Sequence, residues 1–277
     1  MLWSDGRQRM VGSHVGEGMG MKTKFLTMGL LGSLALGGLA TPALADGDEA
    51  AASPWSATLA LTSDYRFRGQ SQTQRDPALQ GSIDFASETG FFAGVWASNI
   101  DFNDFGDTSV EVDLYAGVTK TISEGTEGTL KVVYYAYPDQ DNAAPDYNYL
   151  EVLASLSHDF GSASITGEIA WSPDYFAQTG DAVALTGTLA VPLCDKLWFF
   201  DGGLSASGHV GYQWIDDNIA YGTPDYLYYD IGLSAVWGLA TFDARWIDTD
   251  LSKAECYGGT DLCEGGFVAA VSFAFGG

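Results

Sequence analysis

Basic residues are the scarcest large class of side chain in this sequence. The 277 residues contain 12 Lys and Arg against 36 Asp and Glu, for a net charge of −24. Nucleic-acid binding requires basic side chains that neutralise phosphates, so partners of that class are excluded. The acid excess suits attraction of cations or a high-salt setting, although acids that keep exposed loops soluble account for most single carboxylates.

Long apolar runs are also rare, and the longest lies near the N-terminus. Residues 21–45 combine a basic start at Lys22 and Lys24, an apolar run and a small-residue site at 43–45, which predicts a signal peptide cleaved after Ala45. The run is too short and too rich in small residues to favour a permanent membrane helix of ~20 residues. Residues 1–20 are interpreted as a miscalled translation start rather than a real extension.

Cleavage would leave one domain, residues 46–277. Residues 1–45 hold four of the 12 basic and two of the 36 acidic side chains, so the mature chain keeps 8 basic and 34 acidic residues, a net charge of −26.

Cysteine is scarce as well, with three residues in the chain. Cys256 and Cys263 flank a short glycine-rich segment, which predicts a small disulfide ring in an oxidising compartment. A metal site is the weaker interpretation because no second Cys or His pair accompanies them, and no metal or other cofactor is expected. Cys194 is left as a lone thiol.

Helical periodicity is nearly absent beyond residue 45. Instead, segments of about ten residues alternate apolar and polar side chains and are separated by Gly, Pro, Asp and Asn clusters, which predicts an all-β chain. The predicted strands are 56–67, 79–88, 91–100, 109–120, 129–137, 146–157, 162–171, 182–191, 204–215, 226–237, 239–248 and 267–275. Twelve is an even number, as single-chain bacterial barrels require.

Full charges fall in mid-strand on the polar face, between apolar neighbours. A β-sandwich would also alternate, but its outer face would be rich in lysine, which is scarce here. Tyr and Trp cluster near strand ends, as the aromatic girdles of a membrane barrel do. We therefore predict a transmembrane antiparallel β-barrel of about 12 strands. Its predicted lumen-lining residues are Asp64, Arg66, Arg68, Asp84, Glu88, Glu111, Asp113, Lys131, Glu151, Glu168, His209, Asp230, Asp243 and Arg245.

The connections alternate in length, as barrel loops do. With both termini in the periplasm, the outward loops are predicted at 68–78, 101–108, 138–145, 172–181, 216–225 and 249–266. Several inward turns are very short. Long loops outside and short turns inside are typical of outer-membrane barrels.

Several motifs carry a resemblance to a known family. The stretch from Leu61 to Thr73, together with 76–80, 90–99, 111–115 and the run from Asp248 to Cys263, resembles the TorF-type porins, a proteobacterial outer-membrane family of unknown function. The resemblance covers nearly the whole mature chain. It implies an outer-membrane barrel termed a porin largely by analogy, and it brings no catalytic residues and no settled substrate.

No enzyme is predicted from the sequence. A Ser207–His209 pair on one strand face lacks the surroundings of a hydrolase, and no phosphate loop or nucleophile elbow occurs. The lumen charges either form a closed polar plug or line a water-filled path whose acids favour cations, with Arg66, Arg68 and Arg245 facing the acids. The leading function is passive passage of small hydrophilic solutes or ions across the outer membrane. The alternative is a non-conducting anchor or surface-binding barrel; both have membrane lipid as a partner.

Overall fold

The structure is a computed structural model that describes residues 53–103, 108–141, 145–196 and 202–277. The predicted signal peptide and its cleavage site lie outside the described residues. No helix within the described ranges is long and apolar enough to cross a membrane.

Nearly all regular structure of the described residues is β. Within them, helical turns are confined to loops, at Phe176–Gln178, Asn218–Tyr221 and Lys253–Glu255. The strands are β1 Trp55–Thr62, β2 Arg66–Phe67, β3 Gln70–Ser71, β4 Ala78–Ala86, β5 Phe91–Asn99, β6 Val110–Ser123, β7 Thr126–Ala136, β8 Tyr149–Asp159, β9 Ser164–Ser172, β10 Ala182–Cys194, β11 Leu204–Ile215, β12 Tyr226–Trp237, β13 Ala240–Thr249 and β14 Gly266–Gly276.

Twelve of these strands form one closed antiparallel barrel. From β4 to β14 each strand pairs with its neighbour in sequence, and β1 closes the ring by pairing with both β4 and β14. Closure satisfies the hydrogen bonds that an open sheet edge would expose. The predicted fold class and strand number are confirmed.

The two ends of the barrel differ in the length of their connections. The turns at 124–125 and 238–239 hold two residues each, with Gly125 and Gly238 at positive φ. The loops at the other end are 63–77, 100–109, 137–148, 173–181, 216–225 and 250–265. This end is called the loop end below, and the end at which β1 begins and β14 ends is called the turn end.

The outer surface of the barrel is apolar. Leu189, Ile231 and Phe267 remain 48%, 68% and 65% exposed although they lie within strands. Exposed Trp side chains lie toward both ends, including Trp171 and Trp246 toward the loop end. An apolar band with aromatic side chains near its borders matches the hydrocarbon core and interfaces of a bilayer.

The first strand is shorter than predicted, and its loop turns inward. β1 ends at Thr62 rather than at residue 67, and the chain then forms the β2–β3 hairpin. Arg68 and Gly69 occupy the hairpin turn with φ of 47° and 86°. A side chain at residue 69 would meet Thr249 Cγ2 at 2.5 Å, so the close approach to β13 also requires glycine. Alternating polar residues suit a small hairpin as well as a longer wall strand, which explains the error.

Candidate functional site: the barrel lumen

Thirteen of the fourteen residues predicted to line the lumen are buried or half-buried inside the barrel. Most occupy inward positions of the wall strands, whereas Asp64, Arg66 and Arg68 belong to the inward-folded first loop. The wall residues are Asp84, Glu111, Asp113, Lys131, Glu151, Glu168, His209, Asp230, Asp243 and Arg245.

Glu88 does not lie in the lumen, so its prediction needs correction. β4 ends at Ala86, and Glu88 is exposed in the turn at 87–90. The Ser87 backbone N–H donates to the Phe91 carbonyl at 2.8 Å and Gly90 takes a φ of 86°, so the chain reverses before Glu88 can continue the strand alternation.

Arg68 connects the tip of the hairpin to two walls of the barrel. Its Nη1 and Nη2 donate to the two carboxylate oxygens of Glu151 on β8 at 2.9 and 3.0 Å. Nη1 also donates to Gln213 Oε1 on β11 at 2.8 Å, and Tyr135 donates to Glu151 at 3.1 Å. β8 lies five strands from β1 on one side of the ring and β11 lies four on the other. The hairpin therefore reaches across the loop-end half of the lumen.

The base of the hairpin has its own ion pair. Asp64 accepts from Arg66 Nε at 2.7 Å and from Ser71 Oγ at 2.6 Å. We predicted that Arg66, Arg68 and Arg245 would face Asp84, Glu111, Asp113 and Asp243. Arg245 pairs with Asp243, whereas Arg66 and Arg68 pair with Asp64 and Glu151, because both belong to the hairpin that folds into the lumen.

The last loop of the loop end, residues 250–265, contacts the hairpin. Arg66 Nη1 donates to the Glu264 carbonyl at 2.8 Å, and the Ser71 N–H donates to the Leu262 carbonyl at 2.9 Å. A disulfide between Cys256 and Cys263, with Cα atoms 5.9 Å apart, crosslinks this loop. Cys194 is free.

Gln70 joins the hairpin to the loop 250–265 and to the loop 216–225, since its Oε1 accepts from the hydroxyls of Tyr257 and Tyr221. Aromatic rings fill the surrounding space at the loop end. Tyr135 and Tyr149 stack with centroids 4.3 Å apart, and Tyr147 stacks on Phe176 at 4.6 Å.

Our sequence reasoning missed these aromatic and amide residues. Tyr135, Tyr149 and Gln213 share the inward face of their strands with the predicted lumen residues Lys131, Glu151 and His209, respectively, and this shared alternation was the available signal. Tyr175 and Tyr221 lie in loops, where alternation gives no information.

A second ionic cluster lies around the middle of strands β11, β12 and β13. Arg245 donates to Asp243 Oδ1 through Nε and to Asp230 Oδ1 through Nη1, both at 2.7 Å. His209 Nδ1 lies 2.8 Å from Asp230. The described residues show no hydrogen bond between His209 and Ser207, so the geometry of a hydrolase dyad with serine does not arise there.

One sector of the lumen wall carries acidic side chains that have no arginine partner. Asp84 on β4 and Glu111 and Asp113 on β6 form this acidic wall, and none of them makes an ion pair within the described ranges. Asp84 accepts from Tyr115 and from Ser82 Oγ. The described residues contain no group of three or more His, Cys, Asp or Glu placed to hold a metal ion.

Carboxylates on the outward loops are held in the charged state. Hydrogen bonds from the Asn148 backbone and the Gln140 side chain lower the pKa of Asp146. Hydrogen bonds from the Ser252 side chain and backbone lower the pKa of Glu255 in the same way. These loops therefore add fixed negative charge to the loop end of the barrel.

Comparison with known proteins gives one family and a set of similar barrels. The family described as "Bacterial protein of unknown function (Gcw_chp)" matches residues 48–275. No curated protein matches the chain. The TorF-type name expected from the motifs stays a prediction.

Among solved structures, the KdgM porin is similar at 8% identity and a TM-score of 0.53, covering 79% of this chain and 99% of that one. The KdgM porin in complex with disordered oligogalacturonate gives 7% identity, a TM-score of 0.54 and the same coverage. The outer membrane protein OprD from Pseudomonas aeruginosa gives 10% identity and a TM-score of 0.40, covering 83% of this chain and 67% of that one. The likeness to KdgM is one of fold.

Proposed function

Because this chain belongs to the bacterial family of unknown function termed Gcw_chp, we propose its function from the barrel itself: an outer-membrane channel for passive passage of small hydrophilic solutes, with a weak preference for cations. The observation that carries the proposal is the contrast between the two faces of one closed barrel. The outer face exposes Leu, Ile, Phe and Trp, whereas the lumen concentrates charged side chains. Such a division suits a polar path through lipid.

The preference for cations rests on the balance of charge inside the barrel. Among the described residues, six acidic side chains are buried and three basic ones. The acidic wall has no arginine partner, whereas Asp64, Glu151 and Asp243 do. Excess fixed negative charge along a narrow aqueous path raises the local concentration of cations and lowers that of anions.

Placement in the outer membrane is supported by the apolar band and by the fold that the chain shares with the KdgM porin. One KdgM structure contains oligogalacturonate, a carboxylate-bearing oligosaccharide. The acidic lumen of this chain disfavours a polyanion of that kind, so small cations and neutral polar solutes are the proposed cargo.

The hairpin of the first loop favours a second candidate function. Its tip is bound to β8 and β11, and packed tyrosines surround it, so the loop-end half of the lumen is narrow. A barrel closed in this way would serve as a non-conducting anchor whose acidic loops bind at the surface. In the channel proposal, the same hairpin is the constriction that limits the size of the solute.

Solute flux into liposomes separates these two functions. Purified protein reconstituted into liposomes should admit a small cationic solute faster than a neutral solute of equal size, and a small anionic solute slowest. Arg68→Ala should raise all three rates, because it frees the tip of the hairpin. Folded protein that admits none of the three, in both the native and the Arg68→Ala forms, would contradict the channel and favour the anchor.

A further inference from the structure

Glu111 and Asp113 are two carboxylates buried side by side without a counter-ion. They occupy inward positions two residues apart on β6 and are 2% and 0% exposed. Asp113 lies opposite Trp96 of β5 in the strand register. Transfer of a carboxylate from water into a protein interior is costly unless a proton, a cation or hydrogen bonds compensate it.

The neighbouring basic groups do not supply that compensation. Arg66 is bound by Asp64 and Arg68 by Glu151. Lys131 is the remaining buried base among the described residues, and the charges of Glu168, Glu151 and Asp113 all act on it. One ammonium shared among several carboxylates leaves this part of the lumen short of positive charge.

Several oxygens of the pair have no hydrogen-bond partner. Glu111 Oε2 and both carboxylate oxygens of Asp113 are buried and unpartnered, and so is the hydroxyl of Tyr65. Tyr65 is fully buried, and the charges of Glu111 and Asp113 act on its hydroxyl. The hydroxyl of Tyr137 also interacts with Glu111. Buried carboxylate oxygens of β6 and tyrosine hydroxyls from two loops are therefore grouped in this part of the lumen.

We propose that Glu111 and Asp113 bind a divalent alkaline-earth cation, with the hydroxyls of Tyr65 and Tyr137 as neutral oxygen ligands. Two carboxylates match the charge of such an ion, and hard cations of this class prefer oxygen ligands. Ca²⁺ takes six to eight oxygens, and the side chains here provide at most six. The affinity should therefore fall in the weak range of about 10⁻⁴–10⁻³ M found in extracellular calcium modules. The site does not depend on conduction, because a sealed barrel would hold the ion equally well.

Terbium luminescence tests this site directly. Tb³⁺ replaces Ca²⁺ at oxygen sites and emits when a nearby aromatic ring is excited; Trp96 packs against Tyr65 with ring centroids 5.4 Å apart. Folded protein in detergent should show sensitised emission that Ca²⁺ displaces. In Glu111→Gln/Asp113→Asn the displaceable emission should fall about tenfold or more, since the amides keep the shape but remove the charges that bind the ion.

The matched control removes two acids from an outward loop. Asp139→Asn/Asp146→Asn changes the net charge equally, and its displaceable emission should match that of the native protein. A second readout is thermal unfolding, which Ca²⁺ should shift upward in the native protein and in the control but not in Glu111→Gln/Asp113→Asn. If the control loses the emission while the β6 variant keeps it, Tb³⁺ binds the loops and the proposal is wrong. If folded native protein shows neither displaceable emission nor a shift with Ca²⁺, the two carboxylates are neutralised by protons and the proposal is likewise wrong.

Discussion

Arg68 of the first loop and Glu151 of β8 form a bidentate ion pair inside the barrel, with nitrogen–oxygen distances of 2.9 and 3.0 Å. Both side chains are about 1% exposed. The pair holds the tip of the β2–β3 hairpin across the lumen, so it contributes both to the stability of the first loop and to the narrowing of the lumen.

Arg68→Ala should lower the free energy of unfolding by about 3–5 kcal/mol, because removal of one partner leaves a buried charge uncompensated. Arg68→Ala/Glu151→Gln should cost less than the sum of the two single changes. Arg75→Ala is the control in the same loop. Arg75 pairs with Asp261 at 3.6 Å near the surface, so its loss should cost about 1 kcal/mol or less. Chemical unfolding in detergent measures Arg68→Ala, Glu151→Gln, the double variant and Arg75→Ala. Equal losses of unfolding free energy for Arg68→Ala and Arg75→Ala would contradict the role of the ion pair.

Reduction of the Cys256–Cys263 disulfide should cost ~2–3 kcal/mol or less, because the ring that it closes is small. The loss should also loosen the hairpin, since the same loop accepts from Arg66 and Ser71. Unfolding under reducing and non-reducing conditions measures the effect, with Cys194→Ser as the control. Peptide mapping that finds both thiols free in protein exported by cells would exclude the bond.

Leu189→Arg should lower the stability by about 2–4 kcal/mol in a bilayer, because the side chain projects outward near the middle of β10. Ile219→Arg is the matched control: residue 219 is 95% exposed in an outward loop and should tolerate the charge. Reversible folding into lipid vesicles provides the comparison. Equal tolerance at both positions would mean that the apolar band does not face lipid.

A tag at Asp141 or Gly222 should be accessible on intact cells, because both lie at the loop end of the barrel. A tag at Gly125, in a two-residue turn, should become accessible only after the outer membrane is breached. Surface labelling at Gly125 with protection at Gly222 would reverse the orientation.

Much of this fold follows from alternation along the strands. The alternation of apolar and polar residues predicted the twelve wall strands. It also assigned Asp113, Glu151 and Asp243 to the inside, because one face of each strand must meet lipid. The prediction for Glu88 was wrong because β4 ends two residues before it, at Ala86, and the chain then turns through Gly90. Alternation gives no signal for where a strand ends.

The role of the first loop could not be predicted in this way. Arg66 and Arg68 fall at the same alternate positions as the polar residues of β1. The pattern alone therefore cannot distinguish a longer strand from a hairpin folded into the barrel. The partners of Arg68 are 83 and 145 positions away in the sequence. Pairing over that separation is decided by barrel closure and by the shape of the lumen, which no local pattern records.

Charge selectivity should respond to the two sectors of the lumen in opposite directions. Glu111→Gln/Asp113→Asn removes negative charge from the acidic wall and should shift the zero-current potential in a salt gradient toward anions. Arg245→Gln removes the positive charge beside Asp230 and Asp243 and should shift it toward cations. Both shifts should shrink at 1 M salt, where the screening length is about 3 Å. Unchanged selectivity in both variants would place the filter in the outward loops.

Single-channel conductance of the purified, folded protein in a planar bilayer tests the central claim most directly. Discrete conductance steps with a weak cation preference are expected, and larger steps for Arg68→Ala, in which the tip of the hairpin is released. Correctly folded protein that inserts into the bilayer, yet shows no conductance above background in either form, would contradict the channel.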